Sequence, residues 1–276
     1  MLDDLSSGHR ENLTGLDVEV IEGDIAMPDI AERATRGANV IFHLAASVGN
    51  ARSLADPVRD TMTNAVGTLR LLEAARRHGV RKFVYSSSAG IFGELSHPPI
   101  REDHPINPQT PYGASKLAGE KLALAYSQQF GLEAICLRYF NVYGRNQRYD
   151  AYGNVIPIFM KWINDGSPLR IYGDGLQTRD FVNVADVVQA NCRAANAHGV
   201  WGAFNIASAT SVTINELAAL MLKLAGKDLP IEHVVPRPGD VRHSLADISA
   251  ARAAFGYEPR VSLDQGLATY VDWATA

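Results

Sequence analysis

The residues best suited to moving a proton are a tyrosine and a lysine four apart, in the run Tyr112-Gly113-Ala114-Ser115-Lys116. On a helix, positions four apart share a face, so the phenol and the ammonium point the same way. A nearby cation favours the phenolate and draws the tyrosine pKa down from about 10. A tyrosine tuned in that way exchanges a proton with a substrate hydroxyl near neutral pH. The same spacing also suits an ordinary surface pair on a helix, so the surroundings decide. Ser86-Ser87-Ser88 ends an apolar run, and Ser88 there can hydrogen-bond the same hydroxyl or the carbonyl it becomes. The plain alternative for the triplet is a polar strand end entering a turn.

The elements that must position these groups read as alternating strands and helices. Residues 17–24 alternate and stop at Gly23-Asp24, and residues 39–46 form a continuous apolar run, the pattern of a strand buried on both faces. Residues 61–78 carry Val66, Leu69, Leu72 and Ala75 at helical spacing, with Gly79 to close the helix. A strand is expected at 82–88, a helix over 112–130 and a further strand over 133–139. This α/β order predicts a doubly wound parallel sheet covered by helices, with ligands at the carboxyl ends of its strands. After about residue 145, Gly, Pro and Arg become frequent, as in Gly173-Asp174-Gly175 and Arg237-Pro238-Gly239-Asp240. The expected organisation is a sheet domain over 1–145. A smaller mixed α/β lobe then spans 146–276, some of its segments returning to the sheet. In that lobe Thr213 and Glu216 have the spacing of a capping box.

Composition excludes several classes. Of 276 residues 46% are hydrophobic and 20% charged, enough for a sizeable core and unlike a disordered chain. A formal net charge of -4 argues against a nucleic-acid partner, whose footprint would be basic. No apolar run reaches the roughly 20 residues that span a bilayer, and the acidic start lacks a signal-like apolar stretch. A cytoplasmic protein with no membrane partner is expected. Cys136 and Cys192 stand far apart and the histidines lack metal spacing, so neither a disulfide nor a metal site is expected.

Taken together, these residues resemble the extended short-chain dehydrogenase/reductases, closest to the nucleotide-sugar 4-epimerases of the UDP-glucose 4-epimerase type. The resemblance covers essentially the whole chain and implies a Rossmann-like sheet with a smaller substrate-binding lobe. It implies NAD as cofactor, a UDP-sugar as substrate and a homodimer. Leu2-Asp3-Asp4-Leu5-Ser6-Ser7-Gly8 is similar to the family's second strand and loop, where Asp3 would hold the adenosine ribose. Gly23-Asp24-Ile25 resembles an adenine-side contact made by Asp24 and Ile25. Phe42-His43-Leu44-Ala45-Ala46 resembles the loop beside the pyrophosphate, formed by Leu44, Ala45 and Ala46, and Asn64 matches a helix asparagine of the family core. Ser88, Tyr112 and Lys116 fall on the catalytic positions, with Tyr112 and Lys116 also touching the cofactor. In Arg138-Tyr139-Phe140-Asn141-Val142-Tyr143-Gly144, Tyr139 would approach the nicotinamide and Asn141 the substrate diphosphate. The runs 154–157 and 173–181 are similar to the nucleotide-binding loops, implying substrate contacts at Val155 and Arg179. Arg237 and Asp240 would meet the diphosphate and a ribose or uracil edge. Arginine suits that role because its guanidinium forks onto oxyanions, although each arginine could equally make a surface ion pair.

The implied reaction takes a proton from the sugar 4-hydroxyl at Tyr112, steadied by Ser88, while hydride leaves C4 and later returns to the other face. Related 4,6-dehydratases carry an Asp-Glu pair after this strand, where this chain has Ala89 and Gly90, so dehydration is not expected. The resemblance implies that the position four after Asp240, here Ser244, is a gate beside the sugar C2, and serine is small enough to admit an N-acetyl group. Activity is therefore expected on UDP-GlcNAc/UDP-GalNAc as well as UDP-Glc/UDP-Gal. Alternatives are a UDP-uronate 4-epimerase or another sugar-modifying relative, and a catalytically silent UDP-sugar-binding fragment. The sequence contains no Gly-x-x-Gly-x-x-Gly, and the expectation is a missing strand, loop and helix of about 30 residues before Asp3.

Overall fold

The computed structural model of the chain describes residues 1–147, 154–236 and 241–275. They fall into two compact units. One comprises Met1–Gly93, Pro105–Arg138 and Asn191–Phe204; the other comprises Glu94–His104, Tyr139–Ala190 and the chain from Asn205 onward.

The first unit opens with β1 (Leu2–Asp3), β2 (Ile21–Glu22), α1 (Pro28–Thr35) and β3 (Val40–His43). Two short helices follow, α2 (Asn50–Ala55) and α3 (Pro57–Thr61), then a π-helical segment over Met62–Gly67 and α4 (Thr68–Arg77). The remaining elements are β4 (Lys82–Ser88), α5 (Pro111–Phe130) and β5 (Glu133–Tyr139). Strand β1 pairs in parallel with β2, and β3 pairs in parallel with β4 in the register Val40 to Lys82 through His43 to Tyr85. The α/β architecture read from the sequence is the one the chain adopts. Its core joins Leu71, Leu72, Ala74 and Ala75 of α4 to Phe83 and Tyr85 of β4, Ala123 and Tyr126 of α5, and Cys136 of β5.

The second unit contains β6 (Asn141–Tyr143), α6 (Val155–Asn164), β7 (Leu169–Tyr172), β8 (Thr178–Arg179), β9 (Phe181–Asn183) and α7 (Val184–Asn196), whose last turn belongs to the first unit. The chain then forms β10 (Gly202–Ile206), which begins in the first unit, and the second unit continues through β11 (Val212–Thr213), α8 (Ile214–Leu224), β12 (Ile231–Val234), α9 (Ser249–Phe255) and α10 (Leu263–Thr275). Strand β10 lies beside β5, giving the sheet order β10-β5-β4-β3. Ile156, Phe159, Met160 and Ile163 on α6 recur at i, i+3, i+4 and i+7, and they pack with Leu217 and Met221 of α8 and Leu267 and Tyr270 of α10. The capping box is present: Thr213 Oγ1 accepts from Glu216 N at 3.1 Å, while Glu216 Oε2 accepts from Thr213 N at 2.9 Å.

Three local expectations differ from the structure. Of residues 17–24 only Ile21–Glu22 is a strand, because pairing with β1 extends over two residues. The apolar run 39–46 is not covered on both faces: Phe42 is 45% and Leu44 60% exposed. Strand β3 has β4 on one side, and among the described residues no strand pairs with its other edge. Finally, the helix expected over 61–78 is interrupted by the π segment, whose extra residue per turn rotates the apolar face. The buried face runs through Asn64, Thr68, Leu71, Leu72 and Ala75, and Leu69 is left 37% exposed.

Candidate active site

Tyr112 and Lys116 lie at the start of α5, and the sequence dictates how that helix begins. Thr110 is the N-cap, its Oγ1 accepting from Gly113 N at 3.2 Å, and Pro111 occupies the first helical position, where no N–H is needed. Gly113 lets this first turn rest on the short 3-10 turn that follows β4. A Cβ on Gly113 would stand 2.6 Å from the Gly90 carbonyl oxygen. A Cβ on Gly90 would meet Ser88 Oγ at 3.3 Å and the Tyr112 ring at 3.7 Å. Two glycines thus permit the approach that brings Tyr112 to Ser88, and the two side chains share a hydrogen bond. Ser88 Oγ also accepts from Gly90 N at 3.1 Å, which holds the serine at the carboxyl end of β4.

The electrostatics depart from the sequence expectation for Tyr112. Its hydroxyl is pushed above 10, chiefly by burial; the Ser88 hydrogen bond works in the opposite direction and the Asp60 charge adds to the rise. The Lys116 ammonium lies over the Tyr85 ring, 4.7 Å from its centre. Burial lowers Lys116 itself to about 8, against the raising influence of Asp60. Tyr85 donates to the Lys116 carbonyl at 3.1 Å, which ties β4 to this turn of α5.

A buried polar network lies under the pair. Asp60 of α3 accepts from Ser115 Oγ at 2.5 Å and from Asn64 Nδ2 at 3.2 Å. Asn64 also contacts Ser115 Oγ at 3.0 Å and binds the backbone of Ser47 through Ser47 N at 2.8 Å and Ser47 O at 2.9 Å. Sequence reading missed Asp60 and Ser115. The available signal was the i, i+4 pair Asp60 and Asn64 together with a serine beside Lys116. A second buried group, Glu120, takes two bonds from Arg138, at 2.7 and 3.0 Å, and one from Ser87 Oγ at 2.7 Å. Ser87 is thereby committed to the interior and Ser88 to the site.

The other residues singled out in the sequence stand at strand ends and loops. Asp3 ends β1, with Oδ1 accepting from Leu5 N at 2.8 Å; Asp24 follows β2, with Oδ1 accepting from Ala26 N at 2.8 Å. Ile25 is buried among the core side chains, where Gly67 makes room for it. Leu44 is exposed, Ala45 packs on the core, and Ala46 leads to Ser47 and the Asn64 network. Tyr139 is the last residue of β5 and is half-buried.

In the second unit, Asn141 holds the Asp180 carbonyl through both its backbone N, at 3.2 Å, and its Nδ2, at 3.1 Å. Val155 opens α6 and packs on that unit's core. Arg179 Nη1 donates to the carbonyls of Thr178 and Val241 at 2.8 and 2.6 Å. Ser244 is buried, its N donating to Thr178 Oγ1 at 3.4 Å. Arg237 and Asp240 lie outside the described residues.

Residues 1–207 match the family model described as the NAD dependent epimerase/dehydratase family. The chain belongs to this family. It is 39% identical over 278 residues to UDP-glucose 4-epimerase of Mycolicibacterium smegmatis, covering 99% of this chain and 89% of that protein. Among solved structures it is similar to UDP-glucose 4-epimerase of Thermotoga maritima with UDP-glucose, at a TM-score of 0.94 and 37% identity, covering 99% of this chain and 89% of that one. The UDP-N-acetylglucosamine 4-epimerase of Methanobrevibacter ruminantium in complex with UDP-N-acetylmuramic acid gives a TM-score of 0.94 at 34% identity, with 99% and 88% covered. The epimerase/dehydratase family membership thus rests on most of the chain, and the Ser88, Tyr112 and Lys116 cluster lies within the matched segment. No described helix is long and apolar enough to cross a membrane.

Proposed function

We propose that the protein is a nucleotide-sugar 4-epimerase interconverting UDP-Glc with UDP-Gal and UDP-GlcNAc with UDP-GalNAc. The observation that carries the reading is the hydrogen-bonded pair Ser88 and Tyr112 beside a buried lysine. This is an arrangement able to exchange a proton with a substrate hydroxyl, which suits oxidation and reduction at a hydroxyl carbon. The two relatives with bound sugar nucleotides, named above, support a UDP-sugar as substrate.

The residues fit NAD at its two nucleoside ends. Asp3 and Asp24 each engage one carboxylate oxygen with the backbone two residues on, and they stand at the ends of paired strands, where a ribose or adenine is received. Tyr112, Lys116 and Tyr139 suit the nicotinamide ribose and ring, and Leu44, Ala45 and Ala46 suit the neighbourhood of the pyrophosphate. The sequence holds no glycine-rich turn for the pyrophosphate itself. Bound there, NAD supplies a reversible hydride acceptor, so the sugar C4 is oxidised and then reduced with no net redox change. Tyr112 Oη takes the proton from the 4-hydroxyl and gives it back after the 4-keto sugar has turned over. Ser88 Oγ holds the C4 oxygen throughout, and Lys116 supplies positive charge beside the developing phenolate. Asn141, Arg179 and Arg237 serve the diphosphate, Val155 and Asp240 the nucleoside, and Ser244 leaves space for an acetamido group. Dehydration finds no acid in the turn after Ser88, which is Ala89-Gly90-Ile91.

The test is interconversion of both UDP-sugar pairs by the purified chain with NAD supplied, compared with Ser244→Tyr. The unaltered protein should act on both pairs, and Ser244→Tyr on the UDP-Glc/UDP-Gal pair alone. An equal loss on both pairs in Ser244→Tyr would remove Ser244 from the specificity argument. Failure of the unaltered protein on every UDP-sugar would remove the epimerase reading. As a further part of this proposal, the active form is a cytoplasmic homodimer, which sedimentation would check.

A further inference from the structure

Beneath the turn that carries Tyr112 and Lys116 lies a carboxylate that the proton transfer itself does not use. Asp60 is 1% exposed, and both of its oxygens accept hydrogen bonds, from Ser115 Oγ at 2.5 Å and from Asn64 Nδ2 at 3.2 Å. Burial pushes the Asp60 carboxyl above its usual value, and the bonds from Ser115 and Asn64 and the charge of Lys116 work against that rise in favour of the carboxylate. A buried anion without compensation is costly, and so is the buried ammonium of Lys116, which is 2% exposed.

We propose that Asp60 is a positioning residue for the proton-transfer pair, its carboxylate keeping Lys116 charged inside the fold and its bond to Ser115 fixing the turn of α5 that bears Tyr112. Among the described residues near Lys116, Glu120, four residues on along α5, is matched by Arg138, and the others supply no charge. His43 of β3 is held near 3 by burial and stays neutral. The thiol of Cys136 on β5 and the phenol of Tyr85 on β4 are both pushed well above their usual values, so both keep their protons. That leaves Asp60, on α3, as the anion that acts on Lys116. The same charge raises Tyr112, so Asp60 acts on both members of the pair in the same direction. Removing it should lower both pKa values and shift the charged state of the site toward lower pH.

The proposal rests on the reading of Tyr112 and Lys116 as a proton-transfer pair, but its test needs neither substrate nor cofactor. The side-chain amine of Lys116 is followed by NMR on lysine-labelled full-length protein, its signal assigned by loss in Lys116→Arg. In Asp60→Asn the Lys116 titration should fall by about one unit, a tenfold change in acid constant, and Asp60→Glu should bring it back toward the original value. A folded Asp60→Asn protein whose Lys116 titrates as before would overturn the proposal. Should Asp60→Asn not fold, the reciprocal measurement serves. Coupling works equally in both directions, so in Lys116→Met the Asp60 carboxyl should titrate at higher pH. An Asp60 that does not move there would overturn the proposal as well.

Discussion

At the scale of the residue, the site carries its chemistry at the expense of stability. Lys116 has a pKa of about 8 in the folded chain against 10.5 when free, with burial as the main cause. Between those values the unfolded chain holds a proton that the folded chain has lost. Stability therefore rises with pH through that window, and the full penalty applies below pH 8. The shift corresponds to about 3 kcal/mol. Lys116→Met should accordingly be more stable than the parent at pH 7, with the advantage shrinking toward pH 10, while losing activity. Denaturant titrations at several pH values check this; a pH-independent difference would contradict it. The place of Tyr112 and Lys116 four apart on one helix was legible from spacing, and that of Ser88 at a strand end from the run before it. The direction of the Tyr112 shift was not legible, because it depends on burial and on Asp60, which sits 52 positions away in the chain.

At the scale of the element, the site is set by how closely α5 approaches β4 and its turn. Gly113 meets the Gly90 carbonyl, and Gly119 meets the Tyr85 hydroxyl and the Asn64 carbonyl. Gly113→Ala would press a methyl group into the turn below Ser88, and overpacking of that kind costs about 1–3 kcal/mol. The expected outcome is a lower denaturation midpoint together with a drop in kcat larger than any change in KM, since Tyr112 moves away from Ser88. Unchanged kcat in a folded Gly113→Ala protein would contradict this role for Gly113. The extents of α5 and β5 were legible, because Thr110-Pro111 and Gly131 punctuate the helix and an apolar run follows. The π segment was not legible, since Val66, Leu69, Leu72 and Ala75 keep ordinary helical spacing. Its extra residue comes from packing: Gly67 rests on Ile25, and Asn64 is drawn into the Ser47 and Asp60 network.

At the scale of the whole molecule, the residues chosen from sequence follow the ends of successive strands. Asp3 ends β1, Asp24 follows β2, His43 and Leu44 close β3, Ser88 closes β4 and Tyr139 closes β5. That is where open α/β sheets present their ligands, which agrees with the positions that the resemblance singled out. The exposed side of β3 was not readable from the run 39–46, since an apolar strand reads the same at a sheet's edge as at its centre. A return of part of 146–276 to the sheet was expected without its bounds, which are 191–204, and nothing in the pattern of 94–104 indicates that it belongs with the second unit. That assignment arises from long-range partners such as Asn205, which bonds the Ile100 and Asp247 carbonyls at 3.0 and 3.3 Å. The central claim spans all three scales: hydride leaves C4 of the sugar and returns to it, with Tyr112 carrying the proton. The most direct measurement is NMR of the product formed from UDP-galactose deuterated at C4, with NAD supplied, in ordinary water. The expected result is UDP-glucose that retains the deuterium at C4, with no product from Tyr112→Phe. Loss of the label to solvent, or undiminished turnover by Tyr112→Phe, would contradict the account.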